Sequence, residues 1–319
     1  MKQFKVLDYD IIYLSYDEPN AEENYADLLT KVPWAKRVHG VEGSDAAHKA
    51  CANLSETDRF ITVDADNIIH PNFLQQEIDF QEHVNLENSV ISWCGQNIVN
   101  GLMYGNGGLK CWPKDYVLNM KTHENADPKN GHAQVDFCWD AQYIQMTSCY
   151  SDVYNNETPH QSWRAGFREG VKLALDRGVT VDKGDFLTKT HWRCLHMLYV
   201  WQMAGADVTN GLWAVYGARL GLYMSMCTDW DYVQVRNFKY LNELWSRLDV
   251  TEETLLEVTQ DLGTKLINQL SIPIAASPLD AQQSKFFKQV HQNPTRLPRL
   301  QQQYVIDPEW KTKIKFELR

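Results

Sequence analysis

The feature that most constrains this chain is the run Phe60-Ile61-Thr62-Val63-Asp64-Ala65-Asp66-Asn67, an apolar stretch that stops on two carboxylates. Arg59 to Val63 is dominated by β-branched and aromatic residues, which predicts a buried strand. Asp10 to Tyr16 and Ala35 to Val41 read as two earlier strands. Between the three lie two helical segments, Asn20 to Leu29 and Ser44 to Leu54. In the second, Ala46, Ala47, Ala50 and Leu54 share an apolar side and Ser44 is a suitable cap. The β-α-β-α-β order predicts a parallel sheet with crossover helices. Such sheets bind ligands beyond the carboxyl ends of their strands. The two most polar loops, Asp17 to Asn20 and Asp64 to Asn67, both fall there.

Two carboxylates at a strand end can converge on a hard divalent cation, because Mg²⁺ typically takes one or two carboxylates plus substrate phosphates. Asp64 and Asp66 are therefore the expected ligands of Mn²⁺ or Mg²⁺, with a phosphorylated substrate completing the shell. Asp17, Glu18 and Asn20 are placed to hydrogen-bond a base or ribose. Thr158 opens a third well-marked helix, with Pro159 in its first turn, Gln161 at the capping-box position and an expected stop at Arg177-Gly178. His160 lies in its first turn, where a neutral imidazole could join a metal shell; His191 is the competing candidate. Arg164, Arg168 and Lys172 recur at i, i+4 and i+8, a basic stripe able to clamp a diphosphate. A general base must be a carboxylate or histidine near the acceptor. Asp136 and Asp140 are the best placed, with Asp115 and Glu169 as alternatives.

The 319 residues, 44% of them apolar, suffice for one large domain or two smaller ones. Residues 1–189 read as the catalytic α/β domain. Residues 190–319 read as a mainly helical region packed on it. From about residue 89 to 150 periodicity is weak, beyond a strand at Val90 to Cys94 and a Gly-rich turn before Lys110. Seven cysteines without a CxxC pair argue against a disulfide framework or zinc knuckle and fit a reducing cytoplasm. The N-terminus lacks the pattern of a signal peptide, and Val208 to Cys227 reads as a buried helix rather than a membrane span. Net charge is -10, yet from Lys285 onward eight Lys/Arg stand against three acids. A basic tail on an acidic body could contact phosphates.

Taken in order, SYDEPNAEENYADLL, VPWAKRVHGVEGSDAAHKACA, TDRFITVDADN, YGNGGLKCWPK and HQSWRAGFREGVKLAL resemble the TET-associated glycosyltransferases described for tailed phages, over roughly residues 8–180. The resemblance implies a GT-A fold, a UDP-sugar donor and a divalent metal. It also implies an acceptor base in double-stranded phage DNA, such as 5-hydroxymethylcytosine, and no obligate protein partner. The alternative is a GT-A enzyme acting on a glycan or protein. By the same resemblance Tyr16, Asp17, Glu18 and Asn20 line the nucleotide, with Arg37, Gly43 and Lys49 near its ribose or phosphates. Trp93, Gly107, Gly108 and Trp112 shape the sugar and acceptor pocket. Ala65 departs from the Gly more often expected between the two aspartates.

Overall fold

The computed structural model describes residues 2–104, 108–125, 141–291 and 305. Its centre is a mixed sheet that grows outward from the predicted parallel unit. Strands β2 (Asp10–Ser15), β3 (Lys36–His39) and β4 (Arg59–Asp64) are parallel, in the spatial order β3-β2-β4. Helices α1 (Ala21–Lys31) and α2 (Ser44–Leu54) form the crossovers. The sheet then continues through β9 (Leu109–Pro113), β7 (Ser89–Asn97), β10 (Gln142–Val153) and β5 (Asn67–Ile69). Strand β9 is antiparallel to both neighbours, whereas β7 and β10 are parallel. The expected α/β class and the carboxylate pair at the end of β4 are present, whereas the antiparallel strand between β4 and β7 is not among the sequence expectations. Strands β1 (Lys2–Lys5) and β6 (Glu77–Phe80) form a separate hairpin-like pair, and β8 (Met103–Tyr104) adds to β7.

The twelve-residue β10 lies in the middle segment, where the weak periodicity predicts no strand. Its register against β7 shifts between Gln145 and Cys149 and again before Ser151. The first irregularity inserts two extra residues and the second inserts one, which reverses the facing, so the alternation that marks a strand is interrupted in the sequence.

Helix α2 has the predicted bounds but a different cap. Gly43, at φ +90°, is the residue before the helix, and Ser44 is its first turn. The amides of Ser44 and Asp45 are met by Oε1 of Glu124, at 2.7 and 3.4 Å, from beyond helix α3 (Lys114–Asn119). Helix α4 (Pro159–Lys172) begins as predicted: Thr158 Oγ1 accepts from the Gln161 amide at 3.1 Å. Gln161 reaches the amide of Glu157 rather than closing the box on Thr158. The helix ends before the expected stop, and Arg177 and Gly178, both at positive φ, instead turn the chain between bridge partners Asp176 and Val179.

After α4 come a short α5 (Phe186–Lys189), then α6 (Trp192–Met203), α7 (Gly211–Cys227), α8 (Phe238–Ser246), α9 (Leu255–Leu270) and α10 (Ala281–Val290). The apolar stretch at α7 is a buried helix as expected, and no helix among the described residues is long and apolar enough to cross a membrane. Gly166 and Gly170 of α4 pack on the backbone of Ala214 and Ala218, while Gly217 and Gly221 of α7 pack on that of Trp163 and Phe167. A Cβ at any of the four would overlap a carbonyl of the other helix, so only glycine permits this approach. Arg219 of α7 is fully buried and donates to the carbonyls of Gln202, Thr259, Ala275 and Ala276, which ties three segments of the helical region together.

Candidate active site

Asp64 ends β4, and its amide donates to the Gly108 carbonyl at 3.1 Å, extending the β4–β9 ladder. Ala65 turns inward: it is 2% exposed and packs with the β2–β4 core. Its carbonyl accepts from the Tyr13 hydroxyl at 2.9 Å and Asn24 Nδ2 at 2.8 Å. Its φ is negative, so the methyl group is accommodated without strain and glycine is not required here. Asp66 is half-buried. Its Oδ1 accepts from Asn67 Nδ2 at 2.7 Å and its carbonyl accepts from the Tyr154 amide at 2.6 Å. Asn67 in turn accepts from Ser151 Oγ at 2.9 Å and the Gly108 amide at 3.3 Å. Tyr13, Asn24, Asn67 and Ser151 thus pin a turn whose two carboxylates flank a buried alanine. The sequence reading singles out none of the four; a polar residue inside an apolar strand (Tyr13) and an asparagine directly after the motif (Asn67) are the signals it offers.

The pair is electrostatically unrelieved. Burial, then the charge of Asp64, raises the Asp66 carboxyl to about 7, and Glu18 adds to the effect. Burial likewise raises Asp64, against the pull of Lys110. A divalent cation between two such carboxylates would lower both, so the donor set fits the expected metal. Gly108 lies directly against this site: a Cβ there would collide with the Asp64 side chain.

His160 is not joined to the pair. Among the described residues no three His, Cys, Asp or Glu side chains gather as a metal site. The His160 ring lies against Trp163 and Trp245, 6.2 and 5.3 Å between centroids, and its Nε2 is buried without a partner. Burial and then Arg164 lower its pKa, so the ring is held neutral. His191 serves as the N-cap of α6, accepting from the Arg193 amide.

The loop after β2 holds Tyr16, 47% exposed, and Glu18, whose Oε2 accepts from the Tyr16 amide at 2.7 Å. Asp17 is exposed beside them and bears electrostatically on His160. Asn20 is spent within the fold: it donates to the Tyr154 carbonyl and accepts from Gln161, so it links α1 to α4 rather than reaching a nucleotide. Arg37 forms a two-pronged pair with Glu22, at 2.9 and 2.6 Å, and lies over Tyr25. Lys49 pairs with Asp45 at 2.7 Å, and Gly43 abuts Glu124.

Two aromatic assignments are corrected. Trp93 is fully buried between Phe4 and Phe73, and Trp112 is buried against His48 with its indole N–H on Thr62 Oγ1 at 2.9 Å. Their size and apolarity are better satisfied by the core than by a pocket. Asp115 lies past the β9 end that pairs with Arg59, at the opposite edge of the sheet from Asp64. Glu169 accepts from the Tyr104 hydroxyl at 2.9 Å. Asp136, Asp140 and Gly107 lie outside the described residues.

Of the basic stripe of α4, Arg168 is the member that bears on the carboxylate pair. Arg168 lies within electrostatic reach of Asp66, and its Nε is buried without a partner. The guanidinium groups of Arg164 and Arg168 lie 5.0 and 4.8 Å from the ring centroid of Phe238. Arg168 thus brings a cation of α4 within electrostatic range of the carboxylate pair of the sheet.

No family model matches this chain, and no curated protein matches it. Among solved structures, a glycosyltransferase involved in the glycosylation of the major capsid of PBCV-1 is similar over 48% of this chain and 98% of its own, at 13% identity and a TM-score of 0.28.

Proposed function

We propose that the protein is a metal-dependent glycosyltransferase that moves a sugar from a UDP-sugar to a hydroxymethylated base in DNA. The observation that carries this reading is the pinned Asp64–Asp66 turn at the end of β4, with Arg168 within electrostatic reach of Asp66. Asp64 and Asp66 would hold Mn²⁺ or Mg²⁺, which when bound offsets the charge that gathers on a departing diphosphate. Arg168 adds charge-assisted donors to the same phosphates. Tyr16, Asp17 and Glu18, at the end of β2, are available to the nucleoside. Asp136 or Asp140 supplies the carboxylate that takes the acceptor proton.

Hydroxymethylated and unmodified DNA are to be incubated with a panel of UDP-sugars and Mn²⁺, followed by nucleoside mass spectrometry. A mass gain of one sugar on the modified nucleoside alone is expected, and its loss in Asp66→Ala. No gain on any nucleoside, together with donor turnover stimulated by oligosaccharide, would move the acceptor to a glycan, a reading that the net charge of -10 favours.

A further inference from the structure

A role for Phe238 in acceptor binding rests on the reading of that acceptor as nucleic acid. Phe238 opens α8 and remains 40% exposed although two guanidinium groups lie over its ring. Among the described residues neither Arg164 nor Arg168 has an ion-pair partner. The carboxylate next along α4, Glu169, is engaged by the Tyr104 hydroxyl. Arg236, two residues before Phe238, donates to the His123 carbonyl at 2.6 Å, and Arg168 and Lys172 bear on the same histidine. A chain of net charge -10 therefore sets two guanidinium groups of α4 over one exposed aromatic ring.

That combination selects among ligands. A simple anion would use the cations and leave the ring idle. A neutral glycan would use the ring and leave the cations idle. A nucleotide uses both, through base stacking on the ring and phosphate contacts to guanidinium. We infer that Phe238 and Arg164 form an acceptor-side subsite for one nucleotide unit, with its base on Phe238 and its phosphodiester on Arg164. Arg168, which senses both Asp66 and Phe238, joins this subsite to the donor site.

The test uses the full chain and fluorescence anisotropy of a short labelled oligodeoxynucleotide and its abasic counterpart. Phe238→Ala is expected to weaken the base-bearing oligomer by about 10-fold, since stacking on one aromatic side chain contributes on that order, and to leave the abasic oligomer unchanged. Phe238→Trp should restore binding, and Arg164→Gln should weaken both oligomers and flatten the salt dependence. Saturating UDP with Mn²⁺ should leave the oligomer bound. Displacement by UDP would assign the ring to the donor and overturn the inference, as would equal binding of the two oligomers or equal weakening of both by Phe238→Ala. Circular dichroism melting checks that each variant is folded. UDP binding by the unaltered protein, measured separately by calorimetry, tests the donor site on its own, so failure there is distinguishable from failure here.

Discussion

The side chains that matter most around Asp64 and Asp66 are those that leave these two no freedom. Asn67 spends its amide on Asp66 and its oxygen on Ser151 and Gly108. Asn67→Ala removes all three contacts and strands the Ser151 hydroxyl and the Gly108 amide. The expected cost is roughly 1–3 kcal/mol of stability, from the unpaired buried groups, read by urea denaturation. Mn²⁺ affinity, followed through the paramagnetic resonance of the free ion, should fall as well, because Asp66 is released. Gly108→Ala separates the two effects: its Cβ would displace Asp64, so Mn²⁺ binding should drop by more than stability does. The carboxylate pair itself is legible in the sequence because it follows an apolar strand at a chain reversal. Its supports are not, since Tyr13, Asn24 and Ser151 come from segments 52, 41 and 84 residues away from their hydrogen-bond partners. Such pairings arise only once the sheet order is set.

Among the elements, the β2–α1–β3–α2–β4 unit and the cap of α4 follow from local pattern, and their bounds lie within a few residues of expectation. What the pattern misplaces are ends closed by distant groups. Ser44 has the chemistry of a cap, yet Glu124 meets the α2 amides from 80 residues away, and the positive φ of Gly43 lets the chain enter the helix at that angle. Glu124→Ala should therefore destabilise the fold by about 1 kcal/mol, the usual cost of a lost helix cap, and a thermal melt would register it. If the melt is unchanged, Ser44 is the operative cap after all. The large tryptophans illustrate the same limit. Trp93 and Trp112 look like ligand platforms in a Gly- and Asn-rich stretch, but their neighbours Phe4, Phe73 and His48 are remote in sequence and close the core around them.

For the molecule as a whole, the buried histidines set an acid limit. Burial lowers His48 to about 4, opposed by its contact with the Ser44 carbonyl and aided by the charge of Lys110; Asp45 acts in the opposite sense. His123 is lowered to about 4 by burial and by Arg236, Lys172 and Arg168. Below an ordinary histidine value of 6.5 the unfolded chain takes up protons that the folded chain refuses, so stability falls between about pH 6.5 and 4. Asp66 acts in the opposite direction over much of this window, because its folded carboxyl holds its proton up to about pH 7. The difference between the protein and His48→Gln isolates the histidine: chemical denaturation at pH 6.5 and at pH 4 should show the unaltered protein losing more stability on acidification than the variant. Equal losses would mean that His48 is protonated in the fold. The run of helices after about residue 190 is readable from periodicity alone. That α4, which precedes that run, is welded to α7 within it is not, because glycines matched to carbonyls of another helix leave no periodic trace.

That weld has a consequence for how such an enzyme could change over generations. Where four glycines meet carbonyls across α4 and α7, there is no side chain to trim and no rotamer to adjust, so the two helices behave as one stiff beam carrying Arg164 and Arg168. A substitution on the beam cannot nudge the arginines by a fraction of an ångström; it either leaves them in place or prises the helices apart. On the proposed function, new donor or acceptor preferences would therefore arise at its two flanks, in the loop after β2 and at the start of α8, where exposed side chains such as Tyr16 and Phe238 can be exchanged while the cation row stays in place.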